Sequence, residues 1–89
     1  MSNVNAYKNV TATGAVATGA GVLSGVYVNS TTAGTIKLWD NTAGSGTVIN
    51  NTFTPTVGYH DLGNVAFSTG CFATIGGTID ATFHFSATM

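Results

Sequence analysis

The sequence has no Arg, Glu or Gln, and it has only two Lys and three Asp among 89 residues. Two lysines cannot neutralise a run of phosphates, which excludes the usual mode of nucleic-acid binding. The scarcity of Leu, Glu, Lys, Arg and Gln also argues against a helical bundle, which depends on residues that favour helices. A mass of 9.0 kDa allows one domain and leaves no room for a second core.

The low charge does not make this a disordered chain. The apolar fraction is 44% and the net charge is only −1, whereas disorder requires low hydrophobicity and high net charge. Thr (16), Gly (12), Asn (8) and Ser (6) supply most of the remaining residues. A small, nearly neutral domain without disulfides or a structural metal is expected to gain stability by associating with other chains.

Cysteine is nearly absent as well. Cys71 is alone, so no internal disulfide can form. We expect it to be a buried, small apolar residue and not a nucleophile, because no basic group close in sequence lowers its pKa.

Signals for export or membrane insertion are also missing. The opening segment, Met-Ser-Asn-Val-Asn-Ala, has no basic region followed by an apolar run, so we expect synthesis in a cytoplasm without a signal peptide. Residues 9–36 carry no charge, but 15 of these 28 residues are Gly, Ser, Thr or Asn. We therefore expect no membrane span and no membrane partner.

The apolar residues follow the period of β-strands. No window has an apolar stripe at i, i+3, i+4 and i+7, whereas alternation with period two recurs between Gly-rich turns. The predicted strands are residues 7–12, 22–29, 35–40, 47–53, 58–62, 65–68, 71–75 and 78–87. Seven or eight short strands predict an all-β fold with a single antiparallel β-sandwich or jelly-roll-like domain.

The segments between the predicted strands have distinct expected roles. Residues 12–20 are predicted as a flexible turn region, and Gly76-Gly77 as a tight hairpin. Gly25 indicates a bulge or a close backbone approach within its strand. Residues 1–8 are predicted to be an N-terminal arm ordered by a partner, because they carry too little apolar surface to fix themselves. Residues 9–89 then form the sandwich domain.

Strand alternation predicts which side chains form the core. In the second strand, Val22, Val26 and Val28 share one face and Leu23 and Tyr27 the other. In the last strand, one face carries Ile79, Ala81, Phe83 and Phe85, and the other carries Asp80, Thr82, His84 and Ser86. The expected core is Val26, Val28, Ile36, Leu38, Ile49, Phe53, Leu62, Val65, Phe67, Ile75, Ile79, Phe83 and Phe85.

Trp39 is the most informative single residue. Alternation places its indole on the outer face with Thr35 and Lys37, opposite Ile36 and Leu38. An outward Trp is typical of a protein interface or a platform for sugars. The alternative is that a loop or the N-terminal arm folds over the ring.

The titratable residues indicate neither a metal site nor an active site. His60 and Asp61 are adjacent and point to opposite faces of a strand, while Asp80 and His84 share a polar face. A catalytic zinc site needs three convergent protein ligands, and no such spacing occurs. The sequence also lacks a Gly-x-Ser-x-Gly elbow. We therefore expect no cofactor, no metal and no enzymatic activity.

Three segments carry a resemblance to a known group of proteins. They are LSGVYVNS (residues 23–30), GTIKLWDNTAGSGTVI (34–49) and VAFSTG (65–70). From about Gly21 to the C-terminus, the chain resembles small virion structural proteins of tailed bacteriophages. The resemblance implies a β-sandwich or jelly-roll module on the capsid surface, made in the host cytoplasm. Capsid decoration (cement) proteins of this size are commonly homotrimers located where major capsid subunits meet.

Two functions from different classes follow. The first is a head decoration protein that bridges subunits of the major capsid protein; its expected interface residues are Trp39, Lys37, Tyr59, Met1, Val4 and Tyr7. The alternative is a tail or fibre module that binds a host glycan or receptor through Trp39, Tyr59, Tyr27 and the Asn-rich loops. A glycoside hydrolase has less support, because it needs two convergent carboxylates and the three Asp are scattered.

Overall fold

The computed structural model describes the backbone of residues 3–88 and the side chains of residues 6–86. This part of the chain contains strands and turns but no helix, and every strand pairing is antiparallel. The all-β prediction is therefore confirmed. The six strands are β1 (Asn3–Val10), β2 (Gly14–Thr18), β3 (Gly21–Asp40), β4 (Thr47–Phe53), β5 (Gly58–Phe67) and β6 (Gly70–Thr88).

Two long strands form the spine of the sheet. β3 has 20 residues and β6 has 19, and they pair along almost their whole length. β1 and β2 pair with successive parts of β6, while β5 and β4 pair with successive parts of β3. The first half of the sheet is therefore β1-β6-β3-β5, and the second half is β2-β6-β3-β4.

The predicted number of strands, seven or eight, is wrong because turn-like residues lie inside strands. β3 joins two predicted strands, and β6 continues through Gly76-Gly77, where a hairpin was predicted. The register between β3 and β6 shifts there, between Thr32 and Thr35. Ala33 and Gly77 have φ angles of 53° and 65°. These residues therefore form an irregularity of the bulge type, which bends a strand without ending it.

Other predicted boundaries also differ. The predicted strands 58–62 and 65–68 are joined in one strand, β5, which ends at Phe67 and continues through Gly63 and Asn64 with φ angles of 84° and 55°. The predicted turn region at 12–20 contains β2, which pairs with the start of β6. β1 runs across the expected boundary between an arm (1–8) and a domain (9–89) and pairs with the end of β6. The dependence of this segment on a partner stays a prediction.

Apolar side chains from both halves form one core cluster. Seven of the predicted core residues are buried: Val26, Val28, Ile36, Leu38, Phe67, Ile79 and Phe83. Five others are partly buried against the cluster: Ile49, Phe53, Leu62, Ile75 and Phe85. The prediction for Val65 is wrong, since its side chain is 36% exposed. Buried residues that the expected core left out are Val10, Val16, Leu23, Ala73 and Ala81, whereas the separate prediction that Cys71 is buried is confirmed.

A bulge at the start of β3 explains why Leu23 is buried. Strict alternation placed Leu23 on the face opposite Val26 and Val28, yet all three side chains have no exposed surface. The register shifts between Leu23 and Gly25 against both neighbouring strands, β5 and β6. The additional residue reverses the alternation, so Leu23 returns to the core face. Gly25 was predicted to mark a bulge or a close backbone approach, and both a register shift and a close approach by Tyr59 occur there.

Candidate functional site

Trp39 lies on the outer face of the second half of the sheet. It alternates with the buried Ile36 and Leu38, and its own side chain is half-buried. Its register partner in β6 is Phe72, and Lys37 is the register partner of Thr74. These four residues (Lys37, Trp39, Phe72 and Thr74) form what we call the tryptophan surface.

Two polar contacts fix the orientation of the Trp39 indole. Its Nε1–H donates a hydrogen bond to Thr74 Oγ1 at 3.0 Å. Lys37 Nζ lies 4.4 Å from the centroid of the Trp39 ring, which is a cation–π distance. The ring is therefore held in one orientation while part of its surface stays accessible.

The loop between β3 and β4 lies beside this surface. A β-carbon at Gly44 would be 3.2 Å from Thr74 Oγ1 and 3.3 Å from Phe72 Cε1, so the loop backbone is in close contact with both side chains. Asn41 stabilises the loop, because its Nδ2 donates to the carbonyl oxygen of Ser45 at 2.7 Å. The loop thus packs against two members of the tryptophan surface, Phe72 and Thr74.

A second outer surface lies on the first half of the sheet. Tyr7 of β1 is directly opposite His84 of β6. The ring centroids of His84 and Tyr59 are 5.7 Å apart with an interplanar angle of 35°. A groove of about 480 Å³, which we call the tyrosine groove, is lined by Ala6, Tyr7, Ser24, Tyr59, His84 and Phe85.

Polar side chains form a network on the neighbouring part of this face. Asn9 Nδ2 donates to Asp80 Oδ1 at 2.7 Å and to Thr82 Oγ1 at 3.2 Å. From the other side, Asn29 Nδ2 donates to the same two acceptors at 3.2 and 3.3 Å. Asp80 thus joins amides from β1 and β3 across β6, and both amide planes are fixed.

The structure separates the residues that the sequence grouped as one interface. Trp39 and Lys37 lie together on the second half, whereas Tyr7 and Tyr59 lie together on the first half. Met1 lies outside the described residues. Val4 is described by its backbone only, which pairs with Ala87 of β6. A single site containing Trp39, Tyr59 and Tyr27 is not formed, because Tyr27 and Trp39 lie in the parts of β3 that pair with β5 and β4, respectively.

Asp40 has a structural role that alternation did not reveal. Its carboxylate accepts hydrogen bonds from the backbone N–H groups of Ser68 at 3.0 Å and Thr69 at 2.9 Å, and a longer hydrogen bond from that of Gly70 at 3.4 Å. The hydrogen bonds from Thr69 and Ser68 lower the pKa of this carboxyl below its usual value. Asp40 therefore holds the turn between β5 and β6 against the end of β3.

The remaining titratable groups are engaged separately. Asp61 Oδ1 accepts the N–H of Gly63 at 2.8 Å, and His60 Nε2 lies 2.7 Å from the carbonyl oxygen of Thr56. Within the described residues, no three His, Cys, Asp or Glu side chains are placed to hold a metal ion. Cys71 is fully buried, and this burial, with the negative charge of Asp40, raises the pKa of its thiol to about 12.

Of the six groove residues, sequence reasoning singled out Tyr7 and Tyr59 as interface residues and missed Ala6, Ser24, His84 and Phe85. His84 was assigned to a polar outer face, which is correct, but its pairing with Tyr59 depends on strand order and has no sequence signal. Ser24 reaches the groove because of the bulge between Leu23 and Gly25. The one available signal was Gly25, whose missing side chain leaves room for the Tyr59 ring.

Comparison of the chain with protein-family models, with curated proteins and with solved structures finds no match. The described residues also contain no helix with the length and hydropathy needed to cross a membrane.

Proposed function

We propose that the chain is a virion structural protein of a tailed bacteriophage, namely a head decoration protein that stabilises the capsid by bridging major capsid subunits. The observation that carries this proposal is the tryptophan surface. A large amphipathic ring, held in one orientation by Thr74 and Lys37, is what a protein interface uses as an anchor. Such a ring loses little conformational entropy when a partner covers it.

The composition of the outer face supports the same role. Only five residues of the chain are Lys or Asp, so a partner can cover this surface while removing few charges from water. The side chains of Thr and Asn on this face form hydrogen bonds without carrying charge. The resemblance of residues 21–89 to small virion proteins supplies the location on the capsid surface, after synthesis in the host cytoplasm.

The positions of the acidic residues support a structural and not an enzymatic role. Each Asp carboxylate accepts hydrogen bonds from the protein itself: Asp40 at the β5–β6 turn, Asp61 at Gly63 and Asp80 at Asn9 and Asn29. An acid–base pair for glycoside hydrolysis needs two carboxyl groups that face one substrate. The carboxylates here are used separately to hold strands and turns together.

We further propose that the two halves of the sheet pack face to face as a β-sandwich. Residues of the first half, such as Phe83, and of the second half, such as Leu38, have no exposed surface and belong to one cluster. One layer of sheet leaves both faces open to water, so such burial favours a second layer. The irregularity at Ala33 and Gly77 supplies the bend between the halves.

The partners in this proposal are the major capsid protein and other copies of the chain. A homotrimer is the expected assembly, because the resemblance implies it and a small domain without disulfides gains stability by association. Sedimentation equilibrium of the purified protein tests the oligomeric state. If the protein remains monomeric up to the local concentration that its copies reach on a particle, the proposed trimer is contradicted.

The decisive experiment is add-back of purified protein to particles that lack it. Deletion of the gene should lower the temperature at which the particles release their genome, and the wild-type protein should restore it. Trp39→Ala should fail to restore it, whereas Val57→Ala, which removes an exposed apolar side chain elsewhere, should succeed. Unchanged release temperature after deletion would overturn the decoration role.

Copy number separates this proposal from the tail or fibre alternative. A decoration protein occupies hundreds of equivalent capsid sites, whereas a fibre module is present in tens of copies per particle. Quantitative mass spectrometry of purified virions gives the ratio of this chain to the major capsid protein. A ratio near one favours decoration, and a ratio of a few per cent favours a tail location.

A further inference from the structure

The outer face of the first half carries an unusual concentration of exposed aromatic surface. Tyr7 is 77% exposed, Tyr59 is 49% exposed and Tyr27 is 44% exposed. These are all three tyrosines of the chain. Tyr27 is paired with Tyr59 in the sheet, and Tyr7 is paired with His84. Four rings from four strands are therefore placed on one face.

The shape of the tyrosine groove depends on Gly25. A β-carbon at Gly25 would overlap the phenol group of Tyr59 and would lie 2.7 Å from the carbonyl oxygen of His60. Because glycine has no side chain, the Tyr59 ring lies across β3 and reaches His84, 5.7 Å away between centroids. The groove therefore has Tyr7 and Tyr59 as exposed walls, with His84 between them.

The side chains that line this groove include no Lys, Arg, Asp or Glu. Ser24, Tyr7 and Tyr59 offer hydroxyl groups, and His84 offers an imidazole. Lys8 and Lys37 are the only lysines of the chain, and Lys37 is placed against Trp39 on the other half. Lys8 follows Tyr7 in β1, so alternation directs its side chain to the other face. No Lys therefore faces the groove to compensate the charge of a phosphate or carboxylate.

The polar network beside the groove adds hydrogen-bonding capacity. The NH₂ groups of Asn9 and Asn29 are engaged by Asp80 and Thr82, which fixes the amide planes. Their carbonyl oxygens remain as acceptors for the hydroxyl groups of a ligand. Thr82 pairs with Asn9 and with Tyr27 in the sheet, so this network continues directly from the exposed rings.

We propose that the tyrosine groove binds a neutral carbohydrate. The exposed phenol rings suit the apolar C–H face of a pyranose, while Ser24, His84 and the neighbouring amides suit its hydroxyl groups. A volume of about 480 Å³ is appropriate for a small ligand and leaves the groove open at the surface. This site excludes Trp39, and the inference does not depend on the decoration role.

The test uses a panel of neutral hexasaccharides (maltohexaose, cellohexaose, chitohexaose and mannohexaose) and a sulfated hexasaccharide. Titrations of the ¹⁵N-labelled full-length protein measure affinity and map the site by backbone chemical shifts. At least one neutral hexasaccharide should bind with shifts concentrated on Tyr7, Ser24, Tyr59 and His84. The sulfated hexasaccharide should bind at least ten times more weakly.

Variants distinguish binding at this groove from non-specific binding. Tyr7→Ala should weaken binding at least tenfold without affecting folding, because the side chain is 77% exposed. Tyr59→Ala should have a similar effect, while Tyr59→Phe, which keeps the ring, should lose less. Trp39→Ala is the matched control, since it removes an aromatic ring from the other surface and should leave binding unchanged.

Three results would overturn the proposal. One is the absence of binding by every neutral hexasaccharide at millimolar concentration. Another is binding that Tyr7→Ala and Tyr59→Ala do not weaken. The third is that Tyr7→Ala abolishes add-back to particles while no hexasaccharide binds, which would identify the groove as a protein interface. Add-back by the wild-type protein is a separate measurement, so a failure of the carbohydrate proposal is distinguishable from a failure of the decoration role.

Discussion

The Tyr59 phenol ring lies over Gly25, in the space that a β-carbon at residue 25 would need. We expect Gly25→Ala to destabilise the protein by about 1–3 kcal/mol, because the ring must move and the His60 carbonyl oxygen is also close. Urea denaturation measures this change. Gly14→Ala is the control, since the nearest atom to its new β-carbon would be 3.9 Å away. Equal costs for the two variants would contradict the close approach.

Phe83 and His84 point to opposite faces of β6. Phe83 has no exposed surface, whereas His84 is exposed and contacts Tyr59. We expect Phe83→Ala to cost about 3–5 kcal/mol, because it leaves a cavity in the core. His84→Ala should cost less than about 1 kcal/mol, since only the ring contact is lost. Thermal and urea unfolding check the order, and a reversed order would refute this register.

Asp40 should make stability depend on pH. Hydrogen bonds from Thr69 and Ser68 lower the pKa of this carboxyl in the folded protein. The ionised carboxylate therefore stabilises the folded state at pH values above its unfolded pKa. This stabilisation is lost as the pH falls through the folded-state pKa. Asp40→Asn should destabilise the protein by about 1 kcal/mol at pH 7, since the site is solvated.

Unfolding measured from pH 7 down to pH 2 tests this linkage. The difference between wild type and Asp40→Asn should shrink as the pH falls below about 3.9, the ordinary pKa of an Asp carboxyl, because the unfolded wild-type chain binds this proton before the folded protein does. Asp61→Asn is the control, as Asp61 accepts only the N–H of Gly63 and should cost less. A difference that stays constant with pH would show that the carboxylate charge is irrelevant.

Cys71 should be unreactive in the folded protein. Its thiol is fully buried and its pKa is raised to about 12, so almost no thiolate is present at pH 8. A disulfide reagent such as DTNB should modify the native protein only at the rate of unfolding, and should modify it at once in urea. Rapid modification without denaturant would mean that the second half of the sheet opens locally.

Trp39 should matter more for binding than for folding. We expect Trp39→Ala to weaken binding to particles by about 2 kcal/mol or more, as interface anchors do. Its effect on the isolated protein should be at most about 1 kcal/mol, because the half-buried ring loses one hydrogen bond to Thr74. Co-sedimentation with particles and urea denaturation measure the two quantities. A larger cost in denaturation than in binding would make Trp39 a structural residue.

Strand alternation predicted the orientation of side chains correctly where the β-strands are regular. It predicted the opposite orientations of Phe83 and His84, and it placed Trp39 on the outer face opposite Leu38. It failed at Leu23, because one additional residue in a bulge reverses the face of every side chain beyond it. It also failed at Val65, where Gly63 and Asn64 interrupt the regular conformation of β5.

The sequence by itself determined an antiparallel all-β protein with little charge, since period-two alternation and the absence of helical stripes are local properties of the chain. Tertiary structure decided that Gly76-Gly77 lies within a strand, because β6 pairs with β3 on both sides of it, at Ile75 with Ile36 and at Thr78 with Thr32. It also decided that Tyr7, His84 and Tyr59 meet, since strand order joins residues that are distant in sequence. Such long-range pairing depends on the free energy of the whole sheet, which no single segment encodes.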